Sequence, residues 1–171
     1  APNGSTCVVQ ANANTMRSFL YNRQVEQFLS RAVEEDLFEV YYQPVYSIRK
    51  KRFVTLEALS RLRHPELGWI SPDVFIRLAE KNRLIDALTD LQLRRVCRFL
   101  KSHEDVARQI DSVKVNLSAL NLMQEHCAER LIAILDEYAL PHRLFLFEIT
   151  ETVATEYSSR LSRAVDAFSQ A

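Results

Sequence analysis

Three polar side chains follow short apolar runs that are typical of β-strands. Glu57 comes after "FVTL", Asn116 after "VKV" and Glu148 after "LFLF". In a parallel α/β sheet, the carboxyl ends of the strands are where binding and catalytic sites are built. A single acid at such a position usually caps a helix, pairs with an arginine or faces water. Three together, two carboxylates and one amide oxygen, are a ligand set for Mg²⁺, Mn²⁺ or Ca²⁺ rather than for zinc.

Two further side chains flank these three in the sequence. Arg61 lies four residues after Glu57, and Gln43 precedes a proline in the aromatic run "YYQPV". The planar guanidinium of an arginine suits a phosphate, although an arbitrary arginine more often forms a surface ion pair. A glutamine amide can both donate and accept hydrogen bonds. From the residues alone, we predict metal-assisted chemistry on a phosphate-bearing ligand.

The composition places the chain among ordinary globular domains and disfavours several partners. Its 171 residues are 47% hydrophobic and 26% charged, with 22 basic and 22 acidic side chains. This balance gives no basic field for DNA or RNA and no single-sign surface for a membrane. The three cysteines, Cys7, Cys97 and Cys127, have no C-x-x-C spacing, which argues against a disulfide framework or zinc site and favours a reducing, cytoplasmic location.

The elements that would position these side chains alternate between helices and strands. Residues 1–17 have linker composition, and the remainder, 18–171, reads as one domain portion. Hydrophobic periodicity predicts helices over 18–35, 71–101 with a break near "KNR", 124–138 and 155–171, and strands over 38–48, 53–57, 112–119 and 144–150. Ser71 and Pro72 form a helix start. Long crossovers favour a mainly parallel sheet, and the uniformly apolar "LFLF" favours a strand covered on both faces. We also expect Trp69 and Phe75 to pack in the core.

Several separated motifs resemble the EAL domain family, in order and with the family's gaps. The resemblance runs from about Phe28 to the last residue through "YYQPVY" (41–46), "EALSR" (57–61), "HPELGWISPDVFIRLAE" (64–80), "VNLSA" (115–119) and "FEITET" (147–152). It implies an α/β fold, a TIM-type (β/α) barrel, of which this chain would carry about the first four strands. It also implies hydrolysis of cyclic di-GMP to linear pGpG in bacterial signalling.

The resemblance assigns roles to individual residues. Glu57, Asn116 and Glu148 fall on the family's metal ligands, for Mg²⁺ or Mn²⁺, and the two glutamates are counted as catalytic. Gln43 and Arg61 fall on substrate-binding positions. Glu151 matches a glutamate that positions a loop beside the site, or else it is simply a charge at a helix N-terminus.

The resemblance also leaves alternatives open. The family's Asp-Asp and lysine motifs do not occur before Ala171, so we expect the 171-residue chain by itself to be inactive. An EAL-like domain without catalysis could instead be a cyclic di-GMP receptor or a protein-interaction module. An upstream sensor or GGDEF-type domain and a homodimer are further partners that the family implies, and the chain could be the cytoplasmic part of a larger, membrane-attached protein.

Overall fold

The computed structural model describes residues 12–149, which form a mixed sheet with helices packed on one face. In chain order the elements are α1 Ala13–Glu34, β1 Phe38–Ser47, β2 Arg52–His64, β3 Gly68–Ile70, α2 Pro72–Lys81, α3 Ile85–Ser102, α4 Glu104–Gln109, β4 Ser112–Leu117, α5 Ala119–Leu122, α6 Cys127–Glu137 and β5 Phe145–Ile149, the last preceded by the 3₁₀ turn His142–Leu144. No helix in this part of the chain combines the length and apolarity needed to cross a membrane.

The sheet is parallel only in its second half. Its order is β1-β2-β4-β5, with β3 pairing to β2 as well. Strands β2, β4 and β5 run parallel, whereas β1 and β3 pair antiparallel to β2. The expectation of a mainly parallel sheet therefore fails at β1, because the turn over residues 48–51 is far too short for a crossover connection. The short β3 was not predicted, since three residues carry no periodicity.

Successive side chains of β2 project alternately to a buried face and to a more open face of the sheet. Leu56, Ala58, Ser60 and Leu62 are buried under the helices, whereas the residues between them are only half-buried. Side chains that pair across neighbouring strands project to the same face. We call the more open face the site face; register places on it Gln43 of β1, Glu57 of β2, Lys114 and Asn116 of β4, and Glu148 of β5.

The core lies between the opposite face and the helices, in two clusters. The first joins α3 and α6 to β4 and β5, and Leu93, Val115 and Leu131 are fully buried in it. The second joins α1 and α2 to the ends of β1 and β2, around Phe38 and Phe75. Cys97 and Cys127 are buried and free, and burial raises the pKa of the Cys97 thiol to about 12.

Several element boundaries differ from those expected. Helix α1 begins at Ala13, within the segment assigned to the linker, because the Asn12 side chain caps it by accepting from the Thr15 amide at 2.9 Å. Helix α2 begins at Pro72 as predicted, but Ser71 makes no side-chain capping bond. Phe75 is buried as expected, whereas Trp69 is 52% exposed because β3 directs it toward Tyr41. The break before α3 and strand β4 were predicted correctly.

Strand β5 is covered on one face only within residues 12–149. Phe145 is buried against the helices, but Leu146 is 48% exposed on the site face. The prediction from the apolar run "LFLF" that this strand is covered on both faces is not met by residues 12–149 alone and stays a prediction.

Candidate functional site

Strand β2 places Glu57 in its middle, with partners on both sides. Gln43 of β1 lies directly opposite Glu57, and Lys114 of β4 is its register partner on the other edge. The prediction that Glu57 stands at a strand end was wrong, because β2 continues to His64 where β3 pairs with it. Directly opposed side chains have Cβ atoms about 5 Å apart. Gln43 and Glu57 are therefore neighbours on the site face.

Asn116 links Glu57 to the next strand. Its Nδ2 atom donates to Glu57 Oε1 at 3.4 Å, and both side chains are half-buried. Asn116 is also the register partner of Glu148 on β5, so the three predicted oxygen ligands occupy three consecutive strands. A half-turn of the Asn116 amide would present its Oδ1 atom beside the Glu57 carboxylate. The structure thus brings Glu57 and Asn116 into contact and places Glu148 on the adjoining strand.

Glu148 has a cationic partner that the sequence reading did not assign. Lys114 Nζ donates to Glu148 Oε2 at 3.2 Å, and the two side chains remain 36% and 51% exposed. Lys114 precedes Asn116 by two residues on β4, which puts both on the site face. The net charge of the set Glu57, Glu148 and Lys114 is therefore about −1 rather than −2.

Arg61 lies farther along β2 on the same face as Glu57. Four residues of strand separate the two Cα atoms by about 13 Å. The Arg61 guanidinium lies over the Tyr41 ring, with Cζ 5.7 Å from the ring centroid, and donates to the Ser60 carbonyl at 2.9 Å. The structure therefore does not bring Arg61 into contact with the acidic side chains, but it leaves much of its donor capacity open at the same face.

The segment after β4 is held by a hydrogen-bonded network behind the site. Asn121, with no exposed surface, accepts from the Ser118 amide at 3.0 Å and donates to Asp86 Oδ1 at 2.7 Å. Ser118 Oγ donates to Glu80 Oε1 at 2.6 Å, and Arg130 binds Asp86 at 2.9 Å. These bonds tie the end of β4 to α2, α3 and α6. They therefore fix the backbone that carries Asn116.

A cavity of about 170 Å³ lies between β2 and helices α2 and α3. Arg61 and Asn116 line it, together with Glu80 and Ser118 of the network just described. The cavity therefore adjoins both ends of the predicted site.

The chain that carries these residues matches a known family. The family model for the EAL domain matches residues 26–171. The chain belongs to the EAL domain family. The matched range agrees with the motif order noted in the sequence, which runs from about Phe28 to the last residue.

The chain spans only part of the length of the relatives and solved structures that it matches. It is 38% identical over 128 residues to the cyclic di-GMP phosphodiesterase NbdA of Pseudomonas aeruginosa, a match over 75% of this chain but only 16% of NbdA. The PaMucR phosphodiesterase in complex with c-di-GMP superposes with a TM-score of 0.78 at 27% identity, over 86% of this chain and 60% of that one. The FimX EAL domain, at 24% identity, superposes with a TM-score of 0.76 over 85% and 58%. The predicted α/β, TIM-type barrel fold is confirmed, and the five described strands are part of that barrel.

The donor set of this EAL domain fits a hard divalent cation. Within residues 12–149, no three histidine, cysteine, aspartate or glutamate side chains converge as a metal cluster. The set available is two carboxylates and the Asn116 amide, all oxygen donors on one face, and Asn116 already contacts Glu57. Such a set suits Mg²⁺ or Mn²⁺. Lys114 beside Glu148 is the one feature of it that opposes cation binding.

Sequence reasoning missed the residues that surround the three candidate ligands. Lys114 is signalled only by its alternation with Asn116, which becomes informative once the open face of β4 is known. The spacing of Ser118 and Asn121 was a stronger signal, since Ser118 caps α5 and Asn121 completes a capping box with it. Glu151, predicted to position a loop, lies outside the described residues.

Proposed function

We propose that this EAL domain carries out the metal-dependent hydrolysis of cyclic di-GMP to linear pGpG. The observation that supports it best is the contact between Asn116 and Glu57 on the site face, with Glu148 in register on the next strand. The name of NbdA and the ligand of PaMucR point to the same substrate. Mg²⁺ or Mn²⁺ would be held by Glu57, Asn116 and Glu148.

The cation, when bound, lowers the pKa of a coordinated water and stabilises charge on the phosphate and the leaving oxygen. The side chains of this domain do the rest. Glu57 and Glu148 supply the negative charge that retains the cation, and the Asn116 amide oxygen completes the set. We propose that Gln43, which lies opposite Glu57, donates a hydrogen bond to a substrate oxygen near the reacting phosphate. Its exposed amide can do so without leaving a buried group unpaired.

Arg61 would bind the other part of the substrate. It stands about 13 Å along the strand from Glu57, a separation that suits an extended ligand with two phosphates. Its guanidinium already lies over the Tyr41 ring, which restricts its orientation and leaves donors for a phosphate oxygen. We propose that Arg61 offsets the charge of the dinucleotide and orients it toward the acidic side chains.

A second candidate is a cyclic di-GMP receptor without turnover. The Lys114–Glu148 ion pair favours it, because an ammonium group already neutralises one of the three ligands. The arrangement of Gln43 and Arg61 would serve binding equally well. Cytoplasmic location, attachment to a GGDEF-type or sensor domain, and homodimerisation stay predictions from the family.

The test compares metal binding, ligand binding and turnover in matched variants of the full protein. Calorimetric titration with Mn²⁺, then with cyclic di-GMP, is paired with chromatographic detection of pGpG. Glu57→Gln removes one ligand charge at constant shape, and Glu66→Gln makes the same change on the exposed turn before β3. We expect Glu57→Gln alone to abolish Mn²⁺ binding and hydrolysis. Unchanged Mn²⁺ affinity in Glu57→Gln would refute the ligand assignment, and dinucleotide binding without pGpG by a protein that carries the family's Asp-Asp and lysine motifs would favour the receptor.

A further inference from the structure

Lys114 is the one basic side chain that the register places among the proposed metal ligands within the described residues. It is level with Glu57 on β2 and two residues before Asn116 on its own strand. Its ammonium lies 3.2 Å from Glu148 Oε2. A lysine at this place on the sheet therefore occupies the space between the carboxylates of neighbouring strands.

The ion pair is not a dry structural contact. Lys114 is 36% exposed and Glu148 51% exposed, so water screens the pair and can solvate either partner when they separate. A pair of this kind contributes little to folding. Its main effect is therefore on the electrostatics of the site face.

A divalent cation and the Lys114 ammonium would compete for the same carboxylate. Both are attracted to Glu148, and they repel each other at the short distance that shared coordination would impose. The ammonium also lowers the negative charge of the ligand set, and affinity for hard cations follows that charge. Binding of the metal through Glu148 Oε2 would therefore require Lys114 to withdraw from that oxygen.

We propose that Lys114 is a tethered cation that competes with the divalent metal for Glu148 and holds the metal affinity of this domain low. This inference rests on the proposed metal site. It gives Lys114 a regulatory effect on metal occupancy, exerted through Glu148, and makes it a positioning residue rather than a catalytic one.

The test is calorimetric titration of Mn²⁺ into the full protein and its variants, with free Mn²⁺ counted by electron paramagnetic resonance. Lys114→Met removes the charge and keeps the length of the side chain, and we expect it to bind Mn²⁺ roughly tenfold more tightly. Lys114→Arg keeps the charge and should bind as the wild type does. Lys81→Met is the matched control, since Lys81 forms a similar ion pair with Glu26 at 3.0 Å on the helices α1 and α2.

The outcomes separate this inference from the proposed function. If the wild type binds Mn²⁺ and Glu57→Gln does not, but Lys114→Met binds no more tightly than the wild type, this inference alone is overturned. If neither the wild type nor Lys114→Met binds Mn²⁺, the proposed metal site fails and the inference fails with it. Binding by Lys114→Met with none by the wild type would support both.

Discussion

The buried amide of Asn121 should be among the most sensitive positions of the domain. Its Oδ1 atom accepts from the Ser118 amide at 3.0 Å, and its Nδ2 atom donates to the Asp86 carboxylate at 2.7 Å. The Oδ1 atom also accepts from Thr89 Oγ1 at 3.2 Å, a hydroxyl proton that it shares with the Ile85 carbonyl at 2.9 Å. Two neutral hydrogen bonds and one to a charged acceptor contribute together about 4 kcal/mol. We therefore expect Asn121→Ala to lower the free energy of unfolding by about 3–5 kcal/mol, because the Ser118 amide and the Asp86 carboxylate each lose a hydrogen-bond partner.

The measurement is urea unfolding followed by circular dichroism. Asn22→Ala, the same substitution on the half-buried surface of α1, should change the free energy of unfolding by less than about 0.5 kcal/mol. Asn121→Asp keeps the shape but sets a second carboxylate against Asp86, so it should be destabilised at neutral pH and recover as acid protonates the pair. A loss below about 1 kcal/mol in Asn121→Ala would show that the network does not anchor the end of β4.

Two further substitutions test the hydrophobic core and the ion pairs that Asp111 forms with Lys50 and Arg52. Leu131→Ala, at a side chain with no exposed surface, should cost about 2–5 kcal/mol by urea unfolding, whereas Leu120→Ala, 41% exposed, should cost less than about 1 kcal/mol; equal losses would contradict the core assignment. Hydrogen bonds from Lys50 and Arg52 lower the pKa of Asp111, so its stabilising effect is present above the unfolded-state pKa and lost as pH falls through the folded-state pKa. Asp111→Asn should unfold at lower urea than the wild type at about pH 7, and the two should converge as the pH falls below the folded-state pKa of Asp111; a difference that persists in acid would disprove the linkage.

The sequence correctly predicted those helices and strands whose signal lies within their own residues. Pro72 suits only the first turn of a helix, and α2 begins there. The alternation of Val113 and Val115 predicted β4, and both residues are fully buried against the helices. Asn12 was treated as part of a linker because asparagine is common there, yet the same side chain caps α1. Asparagine is thus typical of both linkers and helix N-caps, and the helical turn that follows Asn12 decides between the two.

The position of Glu57 within β2 was beyond local reasoning. Its environment depends on which strands pair with β2, and β3 extends that strand past Glu57 through a three-residue ladder. The predicted adjacency to Asn116 nevertheless holds, because parallel register pairs Glu57 with Lys114 and Asn116 follows Lys114 by two residues on the same face of β4. The partner of Glu148 was missed for a related reason. Lys114 has no special meaning in sequence until the exposed face of β4 is known.

The change of partners along β2 explains how one strand serves both ends of the site. On the edge away from β1, β4 pairs with β2 over Thr55–Ala58 and β3 pairs with it over Leu62–His64. At the end of the first ladder the buried Gln92 amide donates to the Ala58 carbonyl at 2.8 Å, so this backbone group is satisfied by a side chain where the pairing to β4 ends. The cavity that Arg61 and Asn116 share lies at this opening. Glu57 is therefore held within a paired sheet, whereas Arg61 stands where the sheet opens and a ligand can approach it.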